Sequence, residues 1–220
     1  MAKYTIAIID EEEDQRNQFE FVFEKIFNVV KIESFNSTED LIALIKSESI
    51  DAVAIDYRLT EHNSSFRDNG DFFFKEIRKN LLEFPVFILT RSSDEVKRIC
   101  KTVDPSFIMD KENINFGKGE LDKEKEFLES IKTKINIYKT EVNEKVEKLT
   151  EYENLRKNNP QEFLNIENDY INLNFELSRY ISGASYIPIT YFTQASNERL
   201  DSLIRSEERR VGKECLRLCR

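Results

Sequence analysis

Residues 4–14 read YTIAIIDEEED, an apolar run that ends on a cluster of carboxylates, and three further runs end on a polar residue in the same way. AVAI ends on Asp56, FPVFIL on Thr90, and the run through PSFIMD on Lys111. Short apolar runs that alternate with helix-like stretches read as parallel strands of an open α/β sheet. Such sheets collect their ligands at the carboxyl ends of the strands. Two acids, a hydroxyl and a lysine therefore converge on one edge, and Glu11 adds a third carboxylate. Together they form a site for a divalent cation and a phosphoryl group.

Outward from these runs, residues 3–9 read as the first strand. A helix over 12–27 follows, with Phe19, Val22, Phe23 and Ile26 at helical spacing on one face. The second strand is 29–35. The next helix opens at Ser37 with Asp40 three residues on, the pattern of a capping box, and turns Leu41, Leu44 and Ile45 inward. Strand three is 52–56. After it comes YRLTEHNSSFRDNG, residues 57–70, which is long for a strand-to-helix connection. A helix over 71–82 carries Phe73, Ile77 and Leu81, strand four is 84–90, a helix covers 93–103, and strand five is 106–110. The prediction is a doubly wound parallel sheet in the flavodoxin-like order 2-1-3-4-5, with right-handed crossovers.

Past Gly117 and Gly119 the pattern changes. From Leu121 to Lys157 there is no Gly or Pro and much Glu and Lys, which predicts one helix of about 55 Å. Leu128, Ile131, Ile135, Tyr138, Val142 and Leu149 fall near heptad spacing, with Lys145 interrupting it. Such a helix either packs back on its own domain or serves as a coiled-coil or signalling helix, and its length favours the second. Asn158, Asn159 and Pro160 end it and open an amphipathic helix over 160–181. SYIPITYF, residues 185–192, reads as extended, and a short helix runs to Ile204. The organisation expected is thus a domain over 1–117, a long helix over 118–157 and a small helical segment over 158–204.

Residues 205–220 differ from the rest. RSEERRVGKECLRLCR holds six basic and three acidic residues, so the net charge of -9 becomes -12 over residues 1–204. RSEERRVGKEC, 205–215, resembles a translated sequencing adapter, and the segment is set aside from fold reasoning. An ordinary basic tail is the alternative. If the frame runs into an adapter, the natural chain continues past Ile204.

Bulk properties narrow the function. At 220 residues, 40% apolar and 34% charged, the chain suits one full domain plus a solvated appendage. It has no apolar stretch long enough to span a membrane, and strand one starts too early for a signal peptide, so the cytoplasm is expected. An acidic chain lacks the basic face that nucleic-acid phosphates require. Cys100, Cys215 and Cys219 match neither a disulfide framework nor a zinc site, and Cys100 reads as a small core residue. With five glycines and no GxxxxGK[ST], there is no phosphate loop.

The constellation resembles the receiver domain of bacterial two-component response regulators, over residues 1–117. That family's acidic pair falls on Asp10 and Glu11 in IIDEEED, its phosphoacceptor on Asp56 in AVAIDYRL, its hydroxyl on Thr90 in FILTRSSD and its lysine on Lys111 in IMDKEN. The resemblance implies that Asp56 accepts a phosphoryl group from the phosphohistidine of a histidine kinase or phosphotransfer protein. It implies Mg2+ held by Asp10, Glu11, Asp56 and the Arg58 backbone carbonyl. Thr90 and Lys111 would bind the phosphoryl oxygens, and the signal would pass to helix four, strand five and helix five. Beyond catalysing its own phosphorylation and dephosphorylation, no enzyme activity is implied. The long helix allows a homodimer.

Taken singly, each residue has a plainer explanation. Asp10, Glu11 and Asp56 could be acids favoured by helix N-termini, Thr90 a strand end, and Lys111 a surface lysine paired with Asp110 or Glu112. His62 reads as solvated. The chain also departs from the family's pattern. The loop after Asp56 is long, Arg91 stands where a small residue is usual, and Glu112 stands where proline is usual. The aromatic switch position holds Ile108, with Phe107 one place off and on the opposite strand face. Arg91 would either crowd donors or pair with the phosphate. These departures favour a second class of function, a pseudo-receiver acting as an interaction module without phosphorylation. A haloacid-dehalogenase-type phosphatase is a third, but it wants a second Asp two residues after a first-strand nucleophile, and Glu12 stands there.

Overall fold

A computed structural model describes residues 3–61, 66–113 and 121–181. His62, residues 185–204, and the tail with Cys215 and Cys219 lie outside the described residues. Five parallel strands, β1 (Thr5–Ile9), β2 (Asn28–Ile32), β3 (Ala52–Asp56), β4 (Val86–Thr90) and β5 (Ile108–Asp110), form one sheet in the order β2-β1-β3-β4-β5. This is the flavodoxin-like, receiver-type order that the runs predict. The helices are α1 (Glu13–Phe23), α2 (Thr38–Ser47), α3 (Gly70–Asn80), α4 (Ser93–Ile99), α5 (Leu121–Asn158), α6 (Pro160–Phe163) and α7 (Glu167–Ile181).

The alternation of side chains along each strand divides the core in two. Ala7, Ile9, Val53, Ile55, Val86 and Ile88 meet Leu41 and Ile45 of α2, Phe73, Phe74 and Ile77 of α3, and Val96 of α4. Ile6, Ile8, Ala52, Ala54, Phe87 and Leu89 face the other way, onto Phe19, Val22 and Phe23 of α1 and onto Phe127, Leu128, Ile131 and Ile135 of α5. A sheet covered on both faces must be apolar on both, which is why its central strands read as unbroken apolar runs. Phe23 ties α1 to α5, with ring centroids 6.1 Å from Phe19 and 6.0 Å from Phe127.

Several element bounds differ from those predicted. β2 stops at Ile32 because its partner β1 stops at Ile9, the residue paired with it. β5 keeps only 108–110, because Pro105–Phe107 forms a 3-10 turn capped by the Asp104 carboxylate, which accepts the Ser106 N–H at 2.8 Å. Phe107 is therefore not in the strand. Its ring packs against Phe87 at 5.6 Å and Phe74 at 6.0 Å and so touches both halves of the core, while Ile108 is buried in the half that holds Phe74. The Ser37 hydroxyl accepts the Asp40 N–H, as the cap predicts. Residues 160–181 are not one helix: a turn at 164–166 separates α6 from α7.

The described residues divide into two compact units, one of 3–144 with 179–181, the other of 145–178. In the first, Leu128, Ile131, Ile135 and Tyr138 are buried, so the first turns of the heptad-like stripe belong to the domain core. The Tyr138 hydroxyl donates to the Tyr180 carbonyl at 2.9 Å. In the second, the later part of α5 pairs antiparallel with α7: Lys145 meets Glu176 at 2.9 Å, and the Tyr170 hydroxyl donates to Glu153 at 2.5 Å.

Candidate functional site

Parallel pairing fixes where the strand ends lie. Ile9 pairs with Ile55, Asp56 with Leu89 and Thr90 with Asp110, so Asp10, Asp56, Thr90 and Lys111 emerge on one edge. They line a cleft of about 160 Å³ together with Glu11, Arg58 and Arg91. The five residues that the strand ends single out are thus brought together.

Lys111 stands between two carboxylates. Its Nζ lies 2.6 Å from Asp56 Oδ1 and 3.0 Å from Asp10 Oδ2, with the Phe19 ring 5.2 Å away. The plainer pairing with Asp110 or Glu112 does not form. Asp110 instead accepts the Ser93 hydroxyl at 2.8 Å and the Glu112 N–H at 2.9 Å. Asp56 Oδ2 accepts the Arg58 N–H at 2.5 Å, and Asp10 Oδ1 accepts the Glu12 N–H at 3.0 Å. Thr90 Oγ1 accepts the Ser92 N–H at 3.2 Å, which leaves its own O–H to donate.

The charges in the cleft do not balance. Burial is the main cause that raises Asp10 above the ordinary carboxylate range, and Asp56 adds to it. Burial, with Asp56 and Asp10 nearby, pushes Glu11 up to about 7. For Lys111 burial acts to lower the pKa, but Asp56 and Asp10 outweigh it and raise it. Glu11 Oε2 is buried and, among the described residues, has no hydrogen-bond partner. A buried carboxylate oxygen without a donor calls for a cation.

Mg2+ fits this donor set. It is a hard ion that takes one or two carboxylates and keeps several waters. Among the described residues, no three acidic, His or Cys side chains are gathered as a metal cage. The Arg58 carbonyl accepts the Glu61 N–H at 3.1 Å and retains a second lone pair.

Several contributors were not legible in advance. Arg16, buried on α1, donates to the Asp10 carbonyl at 2.7 Å and holds the end of β1. Thr60 bonds Asn69 at 2.9 Å and so closes the long loop, while Phe66 anchors it against Phe35 at 5.1 Å. Gly70 donates its N–H to the Tyr57 carbonyl at 3.0 Å, and a Cβ there would lie 2.2 Å from the Asp56 carbonyl oxygen. A glycine just before a helix is the only sequence signal for the last. Gly70→Ala is expected to cost about 1–3 kcal/mol or more in urea unfolding, because backbone must move to admit the methyl group.

Glu11 sets a pH dependence with a definite sign. Its folded-state pKa of about 7 exceeds the ordinary 4.5 of a glutamate, so the folded protein holds a proton that the unfolded chain releases. Stability without metal therefore falls as pH rises through that window. Glu11→Gln removes the fall and leaves the metal-free protein more stable than wild type at about pH 8. The same change weakens Mg2+ binding by about 10–100-fold or more, the range already found for groups that only support a ligand. Urea melts at several pH values and calorimetric Mg2+ titration check both.

No family model matches the sequence, and no curated protein matches it. Among solved structures, the chain is similar to full-length FixJ from B. japonicum, at 12% identity over 90% of this chain and 99% of that one, with a TM-score of 0.46. The anti-anti-sigma factor PhyR from Bartonella quintana is 14% identical over 66% of this chain and 51% of that one, at 0.44. An adenylate cyclase from Rhodopirellula baltica is 12% identical over 63% and 94%, also at 0.44.

Proposed function

We propose that this chain is a phosphoacceptor receiver of the two-component type, which takes a phosphoryl group on Asp56 from the phosphohistidine of a kinase or phosphotransfer protein in the cytoplasm. The observation that carries this reading is the Lys111 ammonium held between Asp56 and Asp10, at 2.6 and 3.0 Å, beside a buried Glu11 oxygen with no hydrogen-bond partner among the described residues. Structural ion pairs seldom leave a carboxylate unsatisfied beside them.

Phosphoryl transfer asks the protein for positioning and charge neutralisation rather than proton transfer. Asp56 supplies the nucleophile, oriented by Lys111 on one oxygen and the Arg58 N–H on the other. Glu11, Asp10, Asp56 and the Arg58 carbonyl are the groups that would hold Mg2+, which when bound neutralises phosphoryl oxygens. Lys111 has three protons and uses two on carboxylates, so one remains for the phosphoryl group. The Thr90 hydroxyl donates to another of its oxygens.

Movement of Thr90 and Lys111 towards the new group would pull on the ends of β4 and β5, which α4 and α5 flank. That pull is the local event that a receiver converts into a shift between two conformations. With Phe107 held among Phe74, Phe87, Arg78 and Lys134, it is not free to act as a switch ring. Output therefore runs through the strand ends and α5, into a partner or a second copy of the chain. Among the described residues no helix is long and apolar enough to cross a membrane.

The test is labelling by acetyl phosphate with Mg2+ and with EDTA, followed by acid quench. Labelling that needs Mg2+ supports the receiver. Magnesium binding without labelling, from acetyl phosphate or from a phosphorylated kinase, would leave the pseudo-receiver in its place.

A further inference from the structure

We propose that Arg91 is a phosphoryl-binding residue whose guanidinium donates to an oxygen of the group carried by Asp56. The inference rests on reading Asp56 as the phosphoacceptor. Two arginines line the cleft, and they differ in one respect. Arg58 is engaged by Glu61 at 3.3 Å and by Glu95 of α4 at 3.9 Å. Arg91, exposed and next to Thr90, has no hydrogen bond or ion pair among the described residues.

Charge says what the free guanidinium is for. Asp10, Glu11, Glu12, Asp56 and Glu61 line the cleft against the one ammonium of Lys111, which Asp10 and Asp56 share. Transfer brings further negative charge into the same space. One bound divalent cation and one shared lysine leave that charge short of partners. A planar guanidinium with five donors matches phosphate oxygens better than any other side chain. The Arg91 side chain is exposed.

The step itself balances simply. An Asp56 carboxylate oxygen attacks the phosphorus of acetyl phosphate, a P–O bond to Asp56 forms, and the P–O bond to the acetyl group breaks. Acetate leaves with the electron pair and no proton is transferred. Arg91 neutralises charge on the phosphoryl oxygens throughout.

The test compares wild type, Arg91→Ala, Arg91→Lys and Asp56→Asn by the rate of acetyl phosphate labelling with Mg2+, at low and high salt. Mg2+ affinity of the unlabelled proteins is measured by calorimetry. Arg91→Ala is expected to label about tenfold more slowly, as for loss of one charged hydrogen bond at an exposed site. Its rate should vary less with salt, and its Mg2+ affinity should be no weaker than wild type. Arg91→Lys should stay within about threefold of wild type, since it keeps the charge and loses the fork. Labelling of Arg91→Ala at the wild-type rate or faster would overturn the proposal and make Arg91 an obstacle at the cleft mouth. If wild type is not labelled at all, or Asp56→Asn is labelled equally, the phosphoacceptor reading fails and the Arg91 role with it.

Discussion

A chain ending at residue 117, where the family resemblance ends, is expected not to fold, whereas one ending at Glu144 is expected to unfold cooperatively. The reason is α5. Phe127, Leu128, Ile131 and Ile135 cover the sheet face formed by Ile6, Ile8, Ala54, Phe87 and Leu89. Burying those four side chains contributes about 6–12 kcal/mol, at about 1.5–3 kcal/mol each. A domain of this size has only about 5–15 kcal/mol of net stability, so their removal consumes most of it. The shorter chain also strands Phe23 without Phe127, and leaves Lys25 without its ion-pair partner Glu124. The chain ending at Glu144 retains all of these contacts. It loses the bond from the Tyr138 hydroxyl to the Tyr180 carbonyl and that from the Leu82 N–H to the Arg179 carbonyl. Each is worth about 0.5–1.5 kcal/mol, so it should melt somewhat below the full chain. Circular dichroism melts of the two truncations decide the matter, and a cooperative transition in the 117-residue chain would contradict the assignment of α5 to the core.

Lys111→Met is expected to abolish labelling and to destabilise the protein by about 3 kcal/mol at about pH 8. The methionine fills the aliphatic space over Phe19 but leaves Asp10 and Asp56 buried without their cation. Removal of one partner from a buried pair costs far more than the pair contributes, because the remaining charge stays desolvated. The cost should depend on pH in a fixed direction. Asp10 is already raised by burial, and without Lys111 it rises further. The folded mutant then holds protons that the unfolded chain releases, so its stability falls as pH rises above the unfolded carboxylate range. Urea melts should accordingly show a small loss near pH 5 and a large one near pH 8. Asp56→Asn serves as the contrast, since Lys111 keeps Asp10 and the loss should be smaller. Equal losses in the two mutants at both pH values would argue against a shared ammonium.

The strand ends were legible because a buried parallel strand must be apolar along its length, which makes a polar terminus conspicuous. Asp10, Asp56 and Thr90 stand out on that ground, and Lys111 follows from the order of the strands. Gly70 and Arg16 do not, since their roles depend on a loop and a helix returning to carbonyls that are distant in sequence. Phe107 was misplaced by starting strand five at residue 106, where a 3-10 turn over Pro105–Phe107 holds the backbone. On α5, a stripe at 3.5-residue spacing and one at 3.6 cannot be told apart over a few turns. The buried positions from Leu128 to Tyr138 therefore read as a coiled-coil seam although they face the first unit's core. The chemistry was more visible than the boundaries because it sits where the strands stop.

Intact mass after incubation with Mg2+ and acetyl phosphate, beside Asp56→Asn, tests the central claim most directly. One phosphoryl adduct on wild type and none on the mutant is the predicted result. No adduct on wild type that still binds Mg2+, or an adduct that survives in Asp56→Asn, would contradict it.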